Sequence, residues 1–310
     1  MSIHHQTTSE ILLVRPANFS FNEQTALSNA FQNKAAGGDQ KKLRQQAFDE
    51  FDLFAEKLRS NGIGVTVFDD TTSPPKPDSV FPNNWISFHD DGTVILYPMY
   101  APNRRLERRM DIIDELKKIF SITSMVDLSF YEKENRFLEG TGSVVFDHPH
   151  KLAYACISPR TDKELFLTLC KKLDYTAIPF HAHDRNGIEI YHTNVLMCVC
   201  ENFSVICLNA ITSSDEREKV IKSLSQTGHE IIDISFEQMN RFAGNMLALK
   251  NKENKKLLVL SQSAFDSLLD HQKTTILTYC EMIPLNIKTI ETIGGGSARC
   301  MIAEIFLPKK

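Results

Sequence analysis

No run in this chain approaches the roughly 20 apolar residues that a membrane-spanning helix needs, and Met1 to Glu10 carries no basic-then-apolar leader. A cytoplasmic location with no membrane partner is the default expectation. Basic excess is missing too. The formal net charge is -4 and no long basic stripe runs through the sequence, so nucleic acid is not an expected partner. Seven cysteines are an odd number without framework-like spacing, which argues for reduced thiols and against a disulfide scaffold. Cys198-Val-Cys200 lacks a second Cys or His pair at finger-like spacing, so no structural zinc is expected from it. The absence of Cys-x-x-Cys argues against thiol redox chemistry. That of Gly-x-Gly-x-x-Gly between a strand and a helix argues against a dinucleotide-binding doubly wound sheet.

What is present is ordinary folded composition. The 310 residues are 42% hydrophobic and 24% charged, enough for one large core or two domains. Helix signals predict five amphipathic segments: Gln40 to Ser60, Arg104 to Phe120, Thr161 to Leu173, Ser213 to Gln226 and Ser261 to His271. Thr161 with Glu164, and Ser213 with Glu216, have capping-box spacing, and Gly62 stands where a first helix would end. A short strand is predicted after each helix: Val65 to Phe68, Ile122 to Val126, Tyr175 to Pro179, Glu230 to Ile234 and Ile287 to Ile290. A loop and a more hydrophobic strand follow, at Asn84 to Phe88, Gly142 to Phe146, Asn194 to Val199, Asn245 to Leu249 and Cys300 to Phe306. Starts spaced by roughly 50 to 60 residues signal repetition, read as one closed domain over residues 1–310. If five units close into a ring, the five strand starts share one mouth.

Those starts carry chemistry. Gly294-Gly-Gly-Ser-Ala-Arg-Cys300 presents a lone cysteine after flexible backbone, as a reactive thiolate requires, while the other six cysteines sit in apolar runs. His192 offers an imidazole to move protons and Glu139 a carboxylate to orient it, which completes the logic of a nucleophile, base and orienter. Glu139 could equally pair with Arg136 or cap a loop. Asn84 and Asn194 stand at equivalent places in the repeat.

Taken together, Val14-Arg-Pro16, Phe81-Pro-Asn-Asn-Trp85, Arg136-Phe-Leu-Glu-Gly-Thr-Gly142, His192-Thr-Asn194, Phe242-Ala-Gly-Asn245 and the Cys300 segment resemble the guanidino-modifying superfamily, the penteins. That superfamily includes arginine deiminases, dimethylarginine hydrolases, succinylarginine dihydrolase and amidinotransferases. The chain is most similar to its amidinotransferase-like branch of citrulline-utilisation hydrolases. The resemblance implies a five-bladed α/β propeller of ββαβ units, with Cys300 as nucleophile, His192 as acid/base and Glu139 as its partner. It implies substrate contacts from Asn84, Asn194, Phe81, Asn245 and Arg136, and neither metal nor cofactor.

The departures bear on substrate. Arginine deiminases grip the guanidinium with two aspartates, in Phe-Thr-Arg-Asp and His-Leu-Asp motifs, where this chain has Asn84 and Asn194. An asparagine both accepts and donates, which suits a neutral ureido group such as that of citrulline, or a guanidino group that passes through a ureido stage. The expected partner is thus an arginine- or citrulline-like small molecule. Amidino transfer and non-catalytic binding on the same fold are the alternatives, and homo-oligomer formation is left open. Arg15, Arg136, Arg241 and Arg299 are candidates for a substrate carboxylate. Arg104, Arg105, Arg108 and Arg109, beside Glu107 and Asp111, read as a solvated helix face. Thr71 to Ser79 reads as a lid or a surface loop.

Overall fold

Ile11-Leu-Leu-Val14 and Leu257-Leu-Val-Leu260 carry no polar alternation because both of their faces are buried. Each belongs to the middle strand of a three-stranded sheet. The computed structural model describes residues 4–33 and 39–310. In chain order it holds β1 (Glu10–Arg15), α1 (Gln40–Ser60) and β2 (Gly64–Asp69), then β3 (Ile86–Phe88), β4 (Thr93–Leu96), α2 (Met110–Ile119) and β5 (Ser124–Asp127). The third unit is α3 (Gly140–Ser143), β6 (Val144–Asp147), β7 (Leu152–Cys156), α4 (Lys163–Leu173) and β8 (Thr176–Phe180). The fourth is α5 (Thr193–Leu196), β9 (Met197–Val199), β10 (Phe203–Ile206), α6 (Ser214–Gln226) and β11 (Glu230–Asp233). After α7 (Phe236–Asn240) come β12 (Leu247–Lys250), β13 (Lys256–Ser261), α8 (Gln262–Ser267), α9 (Asp270–Leu277) and β14 (Glu281–Leu285). The chain ends with α10 (Lys288–Gly294) and β15 (Ala303–Glu304).

Every sheet is built alike. Its first two strands are antiparallel, and the third returns through a helix to lie parallel to the second, as β6, β7 and β8 do through α4. The first blade borrows its opening strand from the far end of the chain: β15 pairs antiparallel with β1, Ile11 opposite Glu304 and Leu12 opposite Ala303. This is a five-bladed α/β propeller of ββαβ units.

Helices fill the grooves between blades. Leu43, Ala47, Phe51, Phe54 and Leu58 of α1 pack with Ile11 and Leu13 of β1 and with Leu257 and Val259 of β13. Leu12 and Val14, on the other face of β1, meet Ile112, Ile113 and Leu116 of α2. Helix ends follow local chemistry. Asp39 and Ser213 accept backbone N–H bonds as N-caps, and Gly62 follows α1 with φ +83°, a region that favours glycine.

Several expected boundaries differ. Residues Pro102–Glu107 form a 3-10 turn and α2 starts only at Met110. The cap of α4 is Asp162, while the Thr161 hydroxyl donates to Ser143 Oγ. The helix expected over Ser261 to His271 breaks into α8 and α9 around Leu268. Ile287 to Ile290 enters α10 and is not a strand; the strand is β14, whose Pro284 is tolerated because β14 lies at a sheet edge. Thr71 to Pro75 is exposed, but Lys76, Asp78 and Ser79 are buried, with Lys76 Nζ 3.1 Å from Asp70 Oδ1, so the second half of that stretch is packed interior. No helix among the described residues is long and apolar enough to cross a membrane.

Candidate active site

Each blade starts with a tight turn that delivers a polar side chain ahead of its opening strand, which for the first blade is β15. A 3-10 turn, Pro82–Asn84, leads to β3; α3, with Glu139 at its N-cap, leads into β6; α5, with His192 at its N-cap, leads into β9. Asn245 bonds back to Phe242 O before β12, and Cys300 back to Ser297 O before β15. These five turns converge. A Cβ at Gly142 would stand 2.4 Å from Asn84 Nδ2 and 2.8 Å from both His192 Nδ1 and Cε1, so only glycine lets the second and fourth blades approach through the third. Phe81 lies beneath the glycine run, its ring 2.9 Å from where a Cβ on Gly294 or Gly296 would sit.

His192 Nε2 donates to Glu139 Oε2 at 2.8 Å, and Glu139 Oε1 accepts the Tyr100 N–H at 2.9 Å. That bond assigns the imidazole proton to Nε2 and leaves Nδ1 as the lone pair on the Gly142 side. Burial pushes His192 down to about 4, against the upward pull of Glu139. Burial would raise Glu139, but Arg160 foremost, then His192 and Arg104, outweigh it and hold the carboxylate at about 2. The pair is therefore a neutral imidazole oriented by a fixed anion.

Cys300 is held by amides. Asn245 Nδ2 stands 3.3 Å and Asn194 Nδ2 3.5 Å from its Sγ, with Asn245 Oδ1 at 3.6 Å. The Arg299 N–H bonds to Asn245 Oδ1 at 3.1 Å and sets which way that amide points. Asn84 is set by Arg104, whose Nη1 donates to Asn84 Oδ1 at 2.8 Å. Arginine can only donate, so the Asn84 nitrogen must face the other way. Of these three amides, Asn84 keeps its Nδ2 donor and Asn194 its Oδ1 acceptor without a partner among the described residues.

A profile of the family described as N,N dimethylarginine dimethylhydrolase, eukaryotic, matches residues 15–307. The chain belongs to this family. Membership places it among hydrolases of guanidino carbon–nitrogen bonds. No curated protein sequence matches it significantly. Among solved structures, the arginine dihydrolase of the ornithine-ammonia cycle in cyanobacteria superposes with TM-score 0.75 at 15% identity over 96% of this chain. This chain spans 41% of that full-length protein. The N-terminal domain of the dihydrolase with bound product gives 0.73 at 16% identity, covering 96% of this chain and 99% of the domain. The dimethylarginine hydrolase of Pseudomonas aeruginosa, a cysteine-to-serine variant complexed with citrulline, gives 0.66 at 14%, covering 96% of this chain and all of that one. At such identities the likeness is one of fold.

Not every expected residue of this dimethylarginine hydrolase family member reaches the centre. Arg136 stays outside: Asp162 takes it at 3.0 Å, Glu134 lies at 3.6 Å, and it covers the Tyr131 ring. Arg15 and Arg299 are likewise engaged, by Asp52 and Glu304. Arg241 lines an open cleft of about 780 Å³ with Phe31, Tyr191 and Phe242. The supposed solvated face is wrong at Arg104, which is 3% exposed and bonds Glu107 with two nitrogens. Arg160 is also missed by sequence reading. It lies 3.5 Å from Glu139 Oε2 and 4.6 Å over the Tyr191 ring, and Tyr191 in turn donates to Gly295 O at 2.8 Å. Adjacency to His192 was the only sequence signal for Tyr191; Arg104 and Arg160 had none.

Proposed function

We propose that the protein is a cysteine-dependent hydrolase of the ureido or guanidino group of an arginine-related amino acid, with a citrulline-like ureido group favoured. One observation carries this reading: Asn84 presents a bare donor and Asn194 a bare acceptor. A ureido group answers with a carbonyl and an amine. A guanidinium offers donors only and would set an N–H against Asn84 Nδ2. Arginine fits if its first hydrolysis makes the ureido group that the pair then holds. Dimethylarginine is the second reading, favoured by the family profile itself.

In this reading His192 Nδ1 takes the Cys300 thiol proton as the sulfur attacks the central carbon, and passes it to the departing nitrogen. Water activated at the same imidazole then cleaves the carbon–sulfur bond. For a ureido substrate the sum is one water consumed and ammonia, carbon dioxide and an amine released. Arg241, which lines the same cleft as Tyr191, supplies a cation for an amino-acid carboxylate. Free thiols throughout agree with a cytoplasmic setting.

The test is a substrate panel of citrulline, arginine, dimethylarginine, agmatine and succinylarginine, followed by ammonia and amine release beside Cys300→Ala. Turnover of citrulline, or of arginine through to the amine, lost in the variant, is the expected result. Dimethylamine from dimethylarginine alone would move the assignment to the second reading.

A further inference from the structure

A second polar centre lies at the far end of blades three and four, a strand's length from the candidate active site. Asp147 closes β6, which begins next to α3; His150 is in the turn that follows, Cys200 follows β9, and His229 precedes β11. His150 Nδ1 is 2.8 and 3.0 Å from the two Asp147 oxygens. His229 Nε2 is 3.9 Å from Asp147 Oδ2 and 2.9 Å from the Cys200 carbonyl oxygen. One carboxylate oxygen and one nitrogen of each imidazole all lie within 4.8 Å of one another. The Asp147 and His229 side chains are each 1% exposed, and His150 reaches the surface.

The partners of this cluster hold it in place. Thr227 Oγ1 lies 2.8 Å from His229 Nδ1 and 2.9 and 3.1 Å from the Leu224 and Ser223 carbonyl oxygens. A carbonyl oxygen only accepts, so the metal-free His229 donates its Nε2 proton to Cys200 O at 2.9 Å. Nε2 also faces a buried carboxylate, and no lysine or arginine pairs with Asp147 among the described residues. With the imidazole proton moved to Nδ1 and given to Thr227 Oγ1, the Nε2 lone pair, the Asp147 carboxylate and the Cys200 carbonyl would all aim at one point. Zinc bonds imidazole nitrogen and carboxylate oxygen at about 2.0–2.2 Å, so donors sharing it stand roughly 3 to 4 Å apart. The observed spacings fall in or just below that range.

We propose that Asp147, His150, His229 and the Cys200 carbonyl form a structural site for a divalent transition metal of zinc type. Thr227 is the outer partner that fixes the His229 ring, as ligating imidazoles usually require. The metal would tie the β6–β7 turn to β9 and β11, joining two blades on the side away from Cys300. Its rival is the metal-free arrangement, in which the His229 proton stays on Nε2 and is donated to Cys200 O.

Zinc affinity, measured by competition with a chromophoric chelator, tests this in the wild-type protein and in the Cys300→Ala background, which removes the reactive thiol as a competing ligand. One equivalent is expected in both, about tenfold or more weaker after His150→Ala or His229→Gln. Zinc should raise the melting temperature of the wild type and not that of His150→Ala. Cobalt(II) in the Cys300→Ala protein should show ligand-field bands without thiolate charge transfer. Equal zinc affinity with and without His150, or no stoichiometric binding, overturns the proposal in favour of the metal-free arrangement. His150 is at the rim, so its variant remains decisive if His229→Gln does not fold. Neither result depends on the hydrolase reading.

Discussion

Asn84 has one amide orientation compatible with the Arg104 guanidinium, and in the proposed function that orientation tells a ureido group from a guanidinium. Asn84→Asp replaces the inward NH2 with an anionic oxygen while Arg104 keeps the other. The ratio of kcat/KM for arginine over citrulline is expected to rise by about tenfold or more, since charge-assisted bonds favour the cation; an unchanged ratio would refute the donor role of Asn84. Gly142→Ala forces a methyl into Asn84 and His192. Its kcat/KM should fall by about a hundredfold with an unchanged circular dichroism spectrum, the cost of a displacement near 1 Å. Acid stability follows from the same residues. His192 is about 4 in the fold against an ordinary 6.5, and Glu139 about 2 against 4.5. Both bind fewer protons folded than unfolded, so stability is full above about 6.5 and declines as pH falls through 4 and on towards 2. Urea midpoints should drop across that window, and Glu139→Gln should flatten its lower part. Cys300, His192, Glu139, Asn84, Asn194 and Asn245 were legible because each stands at an equivalent repeat position. Arg136 was not separable from Arg104 and Arg160, since a guanidinium's partner is chosen by the fold and not by its neighbours in sequence.

Local rules account for the helices and fail for the middle strands. A helix between blades needs one apolar stripe, and α1 shows it as Leu43, Ala47, Phe51, Phe54 and Leu58. Phe51→Ala and Phe54→Ala should each cost about 3–5 kcal/mol of unfolding free energy, read from urea titrations, because each ring is 1% exposed. Exposed Leu53, on the opposite side of the same helix, should tolerate alanine with little change. Strands β1 and β13 are sandwiched, so both faces are apolar and the period-2 signal vanishes. Pro284 hid β14 for another reason: proline is usually read as a strand breaker, yet an edge position leaves its missing N–H unneeded.

Closure is a property of the whole chain. Ile305 N–H bonds Glu10 O at 2.9 Å and β15 covers one edge of β1, so the first blade is complete only when the last residues return. A chain ending at Ile302 should lose both activity and a single cooperative thermal transition, and expose β1 as an open edge prone to association; a sharp, wild-type melt by circular dichroism would contradict this. The sequence by itself determined the repeat, the helix stripes, two of the helix caps and the residue types at each blade's opening turn, because those are written in spacings of two to four residues and in one recurring period. Only the tertiary structure decided that Arg104 aims Asn84 from 20 residues away, that Arg160 stands 3.5 Å from Glu139, and that β15 rejoins β1. Such pairings depend on which buried charges and sheet edges the packed ring leaves facing each other, and short-range pattern carries no record of that.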